Sequence, residues 1–161
     1  MADLRIGIVT SSDSCARGDH EDLSGPEIAR LVEERGWTVV GTRLCADDAP
    51  ALAAAIVDLA DGSHADVVLT TGGTGFGPRD VTPEATEAAC DRMAPGIAEH
   101  IRAESGRITG RAILSRAAAG LRGRTLIVNL PGSPKAVREA FGFVADQLEH
   151  AVEMMAGAGH E

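Results

Sequence analysis

Aromatic side chains are nearly missing from this chain: 161 residues hold one Trp, three Phe and no Tyr. A stacking platform for bases is therefore not available, and any flat heterocycle must be held by backbone and apolar walls. Lysine is scarcer still, because Lys135, in NLPGSPK, is the single lysine among 15 basic residues. Against those 15 stand 24 acidic residues, a net charge of −9, which argues against a broad nucleic-acid or anionic-membrane surface. An anionic substrate would need a local basic focus. The three cysteines, Cys15, Cys45 and Cys90, include no C-x-x-C and leave an odd count. Neither a disulfide framework nor a zinc knuckle is indicated, and they read as small, partly buried residues of a reducing compartment. No Ser-His-Asp or Cys-His arrangement surrounds His20, His64, His100, His150 or His160. No basic stretch followed by an apolar leader opens the chain, and no apolar run approaches membrane-spanning length. The expectation is a soluble, cytoplasmic protein. Its length and its 44% hydrophobic content fit one domain over residues 1–161 with a single core.

What is present is an alternation of short β-branched runs and amphipathic stretches. Leu4 to Thr10 and Trp37 to Leu44 read as strands, as do Val67 to Thr71 and Thr125 to Leu130, the last two as fully buried ones. Helices are expected after each. Ser24-Gly25-Pro26-Glu27 has the form of a capping box, Asp47-Asp48-Ala49-Pro50 opens an Ala-rich helix, and Thr82-Pro83-Glu84 reads as N-cap and first turn of a helix reaching about Met93. Ile97 to Ser105 fits a further helix. From Lys135 to Met155, Val137, Phe141, Val144, Leu148, Val152 and Met155 form a stripe that demands packing. Residues 107–120 fit helix and strand equally, and Leu121 to Arg124 reads as a turn into the strand that follows. Strands alternating with helices at this spacing imply βαβ units, with helices on both faces of a mainly parallel sheet.

Chemistry concentrates at two strand-to-helix junctions. In VVLTTGGTGFGPRDVTPEAT, Gly72, Gly73, Gly75 and Gly77 permit close approach of backbone N–H groups to an anion, beyond the carboxyl end of a strand where α/β proteins bind ligands. It lacks the Lys-Ser/Thr of a P-loop and the spacing of a dinucleotide fingerprint. The second junction, Asn129-Leu130-Pro131-Gly132-Ser133-Pro134-Lys135, offers free N–H groups and Lys135 to another phosphate. Phosphoryl and nucleotidyl transfer also need carboxylates for Mg²⁺, of which one or two suffice. Asp13, Asp47, Asp48 and Asp80 are the candidates, with N-capping as the competing role for one of Asp47 and Asp48.

These segments together carry a resemblance. TTGGTG (70–75), RDVTPEAT (79–86), NLPGSP (129–134), EDLSGP (21–26) and AILSR (112–116) are similar, in the same order, to the MogA/MoaB family of molybdenum cofactor biosynthesis. The resemblance implies a three-layer α/β/α sandwich, mostly parallel with one antiparallel strand, and a homotrimer. It implies molybdopterin adenylyltransfer, in which Mg-ATP and molybdopterin give adenylylated molybdopterin and pyrophosphate, with the pterin's terminal phosphate as nucleophile. By motif position the functional aspartates, catalytic and Mg²⁺-holding, fall on Asp47 and Asp80, with Asp48 as rival to Asp47. Thr71, Gly72, Gly73, Thr74 and Gly75 would meet nucleotide phosphate and Ser115 the pterin phosphate. A molybdate-insertion enzyme is the implied partner. The alternatives are a non-catalytic molybdopterin carrier and a nucleotide pyrophosphatase like the related domain of competence/damage-inducible proteins.

Overall fold

The computed structural model describes residues 3–157. The chain runs β1 (Arg5–Ser11), α1 (Asp13–Ala16), α2 (Ser24–Glu34), β2 (Thr38–Cys45), α3 (Ala49–Val57), β3 (Val67–Thr71), α4 (Thr82–Ala89), β4 (Arg92–Met93), α5 (Pro95–Gly106), β5 (Ala119–Arg122), β6 (Thr125–Leu130) and α6 (Pro134–Met155). A π-helical turn over Asp58–Gly62 continues α3, and a 3₁₀ turn over Gly110–Leu114 precedes β5.

The strands form one sheet in the order β2-β1-β3-β6-β5-β4. β2, β1, β3 and β6 are mutually parallel, and β5 pairs antiparallel with both β6 and β4. One strand, β5, thus opposes the rest, as the resemblance implies. The period-two alternation of the strands sends Ile6, Ile8, Val67, Leu69, Leu126 and Val128 into a layer with Ile28 and Val32 of α2 and Val137, Phe141, Val144 and Leu148 of α6. Val9, Val68 and Ile127 point the other way, onto Leu52 and Ile56 of α3 and Ala85 and Ala89 of α4. Each fully buried aliphatic of this kind stabilises the fold by about 1.5–3 kcal/mol, so the two-sided burial of β1, β3 and β6 makes the centre of the sheet its most rigid part. Gly7 and Gly41 are bare for a reason. A Cβ at either would come within 3.0 and 2.8 Å of Leu59, whose side chain lies across them.

Several local expectations are corrected. Ser24 does not cap α2: it is already its first residue, and the Asp22 carboxylate accepts the Gly25 N–H at 3.0 Å. The Thr82 hydroxyl does not cap α4 either but donates to the Gly72 carbonyl at 2.9 Å. α4 stops at Ala89 instead of Met93, because Arg92–Met93 pairs with β5 at the sheet edge. The ambiguous stretch divides among the turn after α5, the 3₁₀ turn, an irregular segment and the start of β5, and Leu121 and Arg122 belong to the strand, leaving Gly123 and Arg124 for the hairpin turn.

The three cysteines are free. Burial and, secondarily, the nearby Asp91 carboxylate push the Cys90 thiol from 9.0 up to about 11. The folded state therefore favours the protonated thiol, a contribution complete below pH 9.0 and lost as pH rises towards about 11. Cys90 should resist iodoacetamide at about pH 8 in the native protein while reacting in the unfolded one. Peptide mass spectrometry of an alkylation time course checks this, and equal rates in both states would contradict it.

Candidate active site

Because β3 and β6 are adjacent and parallel, with Thr71 opposite Leu130, the two bends that follow them leave the same edge of the sheet side by side. A Cβ on Gly132 would lie 3.4 Å from the Gly72 Cα, and the Thr71 hydroxyl donates to the Pro131 carbonyl at 2.5 Å. The first bend is tightly wound. Gly72 and Gly73 have φ of 88° and 71°, the left-handed region that favours glycine. A Cβ there would come within 2.4 Å of the Ser11 carbonyl oxygen and 2.3 Å of the Thr82 hydroxyl.

Two cavities flank these bends. The larger, of about 520 Å³, runs from Thr74 and Gly75 past Ser115 to Pro131, Gly132, Ser133 and Lys135. Arg102 and Arg111 also line it, against the single carboxylate of Glu139, so three cations to one anion supply the basic focus that a net-acidic chain needs for an anionic ligand. The smaller, of about 310 Å³, lies between Ser11, Ser12 and Asp22 on one side and Thr71, Gly72, Gly132 and Ser133 on the other. Gly132 and Ser133 belong to both. Asn129 borders the larger cavity, but its side-chain amide is spent inside the sheet. It donates to Thr70 and Thr86 at 3.0 and 2.8 Å and accepts the Ala118 N–H at 3.0 Å. Ser133 caps α6 by accepting the Ala136 N–H at 3.3 Å.

The aspartates separate by role. Asp48 caps α3, accepting the Ala51 N–H at 3.0 Å. Asp47 turns the other way, where its carboxylate accepts the Ser11 hydroxyl at 2.5 Å and the Asp13 N–H at 3.1 Å. Asp13 returns the bond, its carboxylate accepting the Asp47 N–H at 2.9 Å. The same Asp13 carboxylate receives both arms of Arg79, each at 3.0 Å. The Arg79 fork, helped by the Asp47 N–H, holds the Asp13 carboxyl down at about 2. Asp80 sits under the glycine bend, with one oxygen accepting the Gly77 N–H at 2.9 Å and close beneath the Cα of Gly75. Neither Asp47 nor Asp80 lines a cavity wall. Asp47 reaches the smaller cavity through Ser11, and Asp80 borders the larger one through Gly75.

Two features escaped the sequence reading. Arg79 pairs with Asp13 and not with its neighbour Asp80. Arg116 pins the whole bend: its N–H donates to the Thr74 carbonyl at 2.7 Å, and its guanidinium to the carbonyls of Gly75 and Asp80 at 2.8 and 2.7 Å and to the Glu84 carboxylate. That cation in turn holds the Glu84 carboxyl below its ordinary range. Arg116 stands in AILSR beside Ser115, and only its contacts, made 41 residues away at Gly75, reveal the role.

Fold and site define a three-layer α/β protein that gathers two anion-suited bends at the carboxyl edge of its parallel strands. Comparison with known proteins narrows this. The family described as "probable molybdopterin binding domain" matches residues 7–150. The molybdopterin adenylyltransferase of Helicobacter pylori is 38% identical over 159 residues, 98% of this chain and 90% of its own. That of Escherichia coli K12 is 39% identical over 148 residues, 91% of this chain and 76% of its own. The molybdopterin biosynthesis enzyme MoaB of Thermus thermophilus superposes with a TM-score of 0.89 at 43% identity, covering 96% of this chain and 97% of that one. The chain belongs to the molybdopterin-binding domain family of molybdenum cofactor biosynthesis, in its MogA/MoaB branch.

Proposed function

We propose that this chain is a molybdopterin adenylyltransferase that uses ATP and Mg²⁺. A terminal phosphate oxygen of molybdopterin forms a bond to the α-phosphorus of ATP, the bond from that phosphorus to the β-bridging oxygen breaks, and pyrophosphate leaves. The observation that carries this reading is the side-by-side placement of both bends between two adjoining cavities, the larger lined by cations, with Asp80 behind Gly75 at the margin of the larger and Asp47 behind Ser11 at the margin of the smaller. The identity to named adenylyltransferases over nearly the whole chain supports it and favours the enzyme over a carrier.

The attacking phosphate is already anionic, so no general base is needed, in keeping with a site built without histidine. What remains for the protein is alignment and charge neutralisation. Thr71, Gly72, Gly73, Thr74 and Gly75 would hold nucleotide phosphate. The Ser115 hydroxyl, whose oxygen accepts the Ala117 N–H at 3.2 Å, would turn its proton to the pterin phosphate. Lys135 forms no ion pair among the described residues and is exposed on the first turn of α6, available to the second bend's phosphate along with Pro131, Gly132 and Ser133. Asn129 would serve by fixing the base of that bend.

No group of three or more His, Cys, Asp or Glu gathers for a metal among the described residues, but Mg²⁺ takes only one or two carboxylates and completes its shell with phosphate and water. The donor set fits that need: hard oxygens throughout, with the second oxygen of Asp80 accepting no hydrogen bond among the described residues. Asp47 and Asp80 would hold the ion, which when bound supplies neutralising charge to the phosphates. From the family resemblance we also read the protein as cytoplasmic and homotrimeric, passing its product to a molybdate-insertion enzyme.

Purified protein given ATP, Mg²⁺ and molybdopterin should release pyrophosphate in proportion to pterin consumed. Pterin binding without turnover would point to a carrier, and pyrophosphate release that ignores molybdopterin would point to a pyrophosphatase.

A further inference from the structure

We infer that Asp13 and Arg79 are a positioning pair that sets the placement of Asp47 relative to Asp80, and with it the affinity of the site for Mg²⁺. The inference rests on the proposed function and adds two residues to it.

Asp47 and Asp80 stand on separate loops, one after β2 and one after β3, and no hydrogen bond joins their carboxylates. Asp13 links the two loops through side-chain hydrogen bonds to both. Its main-chain N–H donates to the Asp47 carboxylate and its own carboxylate accepts the Asp47 N–H, at 3.1 and 2.9 Å. Such a reciprocal pair fixes both the main chain and the side chain of Asp47. Arg79, the residue before Asp80, closes the chain of contacts with a two-armed bond to the same carboxylate. A planar guanidinium gripping both oxygens of a carboxylate fixes direction as well as distance, which a lysine in the same place would not.

The Asp13–Arg79 pair is also poorly explained by stability. Arg79 is 64% exposed and Asp13 25%, and a pair this open to water contributes little to folding. Around it the chain is acidic, with Asp47 and Asp48 within electrostatic reach of Arg79, so the cation keeps Asp47 from repelling its carboxylate neighbours when no metal is bound. Ser11 completes the hold on Asp47 from β1. The substituted outer shell of a metal site commonly costs 10–100-fold in metal affinity, and this pair stands in that relation to the two aspartates.

The test uses R79Q and D13A, singly and together, with wild-type turnover as reference. Because the Arg79 side chain is largely exposed, R79Q should fold and melt like the wild type. The concentration of Mg²⁺ giving half-maximal pyrophosphate release should rise by at least about tenfold in each single variant, with KM for molybdopterin changed less than about twofold. The double variant should be no worse than the poorer single one, since both remove the same link. R79K, which keeps the charge without the fork, should recover only part of the Mg²⁺ affinity. An unmoved Mg²⁺ dependence in folded R79Q, or strictly additive losses, would overturn the inference while leaving the proposed reaction intact. A readout free of turnover accompanies it: R79Q should shift the amide resonances of Asp47 and Ser11 in a ¹⁵N spectrum of the protein alone. Unshifted resonances would overturn the inference even if wild-type protein released no pyrophosphate, the result that counts against the reaction itself.

Discussion

Replacing Asp80 by Asn should abolish adenylyl transfer, lowering kcat by at least about 100-fold, with little change in melting temperature. The substitution is chosen for what it leaves in place. Asp80 is tied to the glycine bend by its carboxylate, which accepts the Gly77 N–H, and by its carbonyl, which accepts from Arg116. The amide oxygen of Asn can replace the first of these, and the second belongs to the backbone. What disappears is the negative charge and one hard oxygen, the features a Mg²⁺-bound triphosphate requires. Pterin binding, assigned to the Ser115 side of the larger cavity, should persist. Turnover, protein melting and pterin fluorescence titration measured on the same preparation separate the possibilities. An Asp80→Asn protein with wild-type kcat would remove Asp80 from the mechanism.

Gly72→Ala should be the most disruptive single methyl in the chain. With φ of +88° the residue lies where an L side chain is strained, and its Cβ would sit 2.4 Å from the Ser11 carbonyl oxygen. That neighbour is backbone at the end of an interior strand, paired with β2, and cannot rotate away. Left-handed strain and overpacking each contribute about 1–3 kcal/mol, so a combined loss of about 2–6 kcal/mol is expected, or a drop in melting temperature on the order of 10 °C. The damage also reaches the site, because Ser11 holds Asp47 and the Gly72 carbonyl accepts the Thr82 hydroxyl. Activity should fall even at temperatures where the variant is folded. Calorimetry and a rate measured well below the transition would show both, and an unshifted melting curve would mean that the bend tolerates a side chain here.

Much of the architecture was legible because the buried strands are written in the plainest code the chain has. VVLTT and TLIVNL are apolar on both faces and end at glycine and proline, which leaves little but central strands followed by loops. The two-residue strand Arg92–Met93 had no such signature: it exists only because β5 lies beside it, and nothing local announces that. The stretch 107–120 was ambiguous since it joins a 3₁₀ turn to the start of β5 and is held in place by Arg116 reaching the distant glycine bend. Capping failed as a guide where tertiary contacts outcompeted it. Thr82 has the sequence grammar of an N-cap, but the carbonyl of Gly72 claims its hydroxyl. At the site, the sequence favoured Asp47 over its rival Asp48 by motif resemblance alone, and side-chain direction, which no spacing encodes, sends Asp48 to the helix end and Asp47 towards Asp13. The positions of Arg102 and Arg111 on the wall were likewise invisible, as they depend on how α5 and the 3₁₀ turn fold back over β6.

The adjacency of β3 and β6 has a metric meaning. Neighbouring strands in any sheet sit about 4.8 Å apart, and both bends issue from such a pair within one register step of each other. The gap between them is thus a repeat distance of the protein backbone itself. Side-chain mutations can alter what decorates this ruler, but its graduation changes only if the ladder between the two strands is broken.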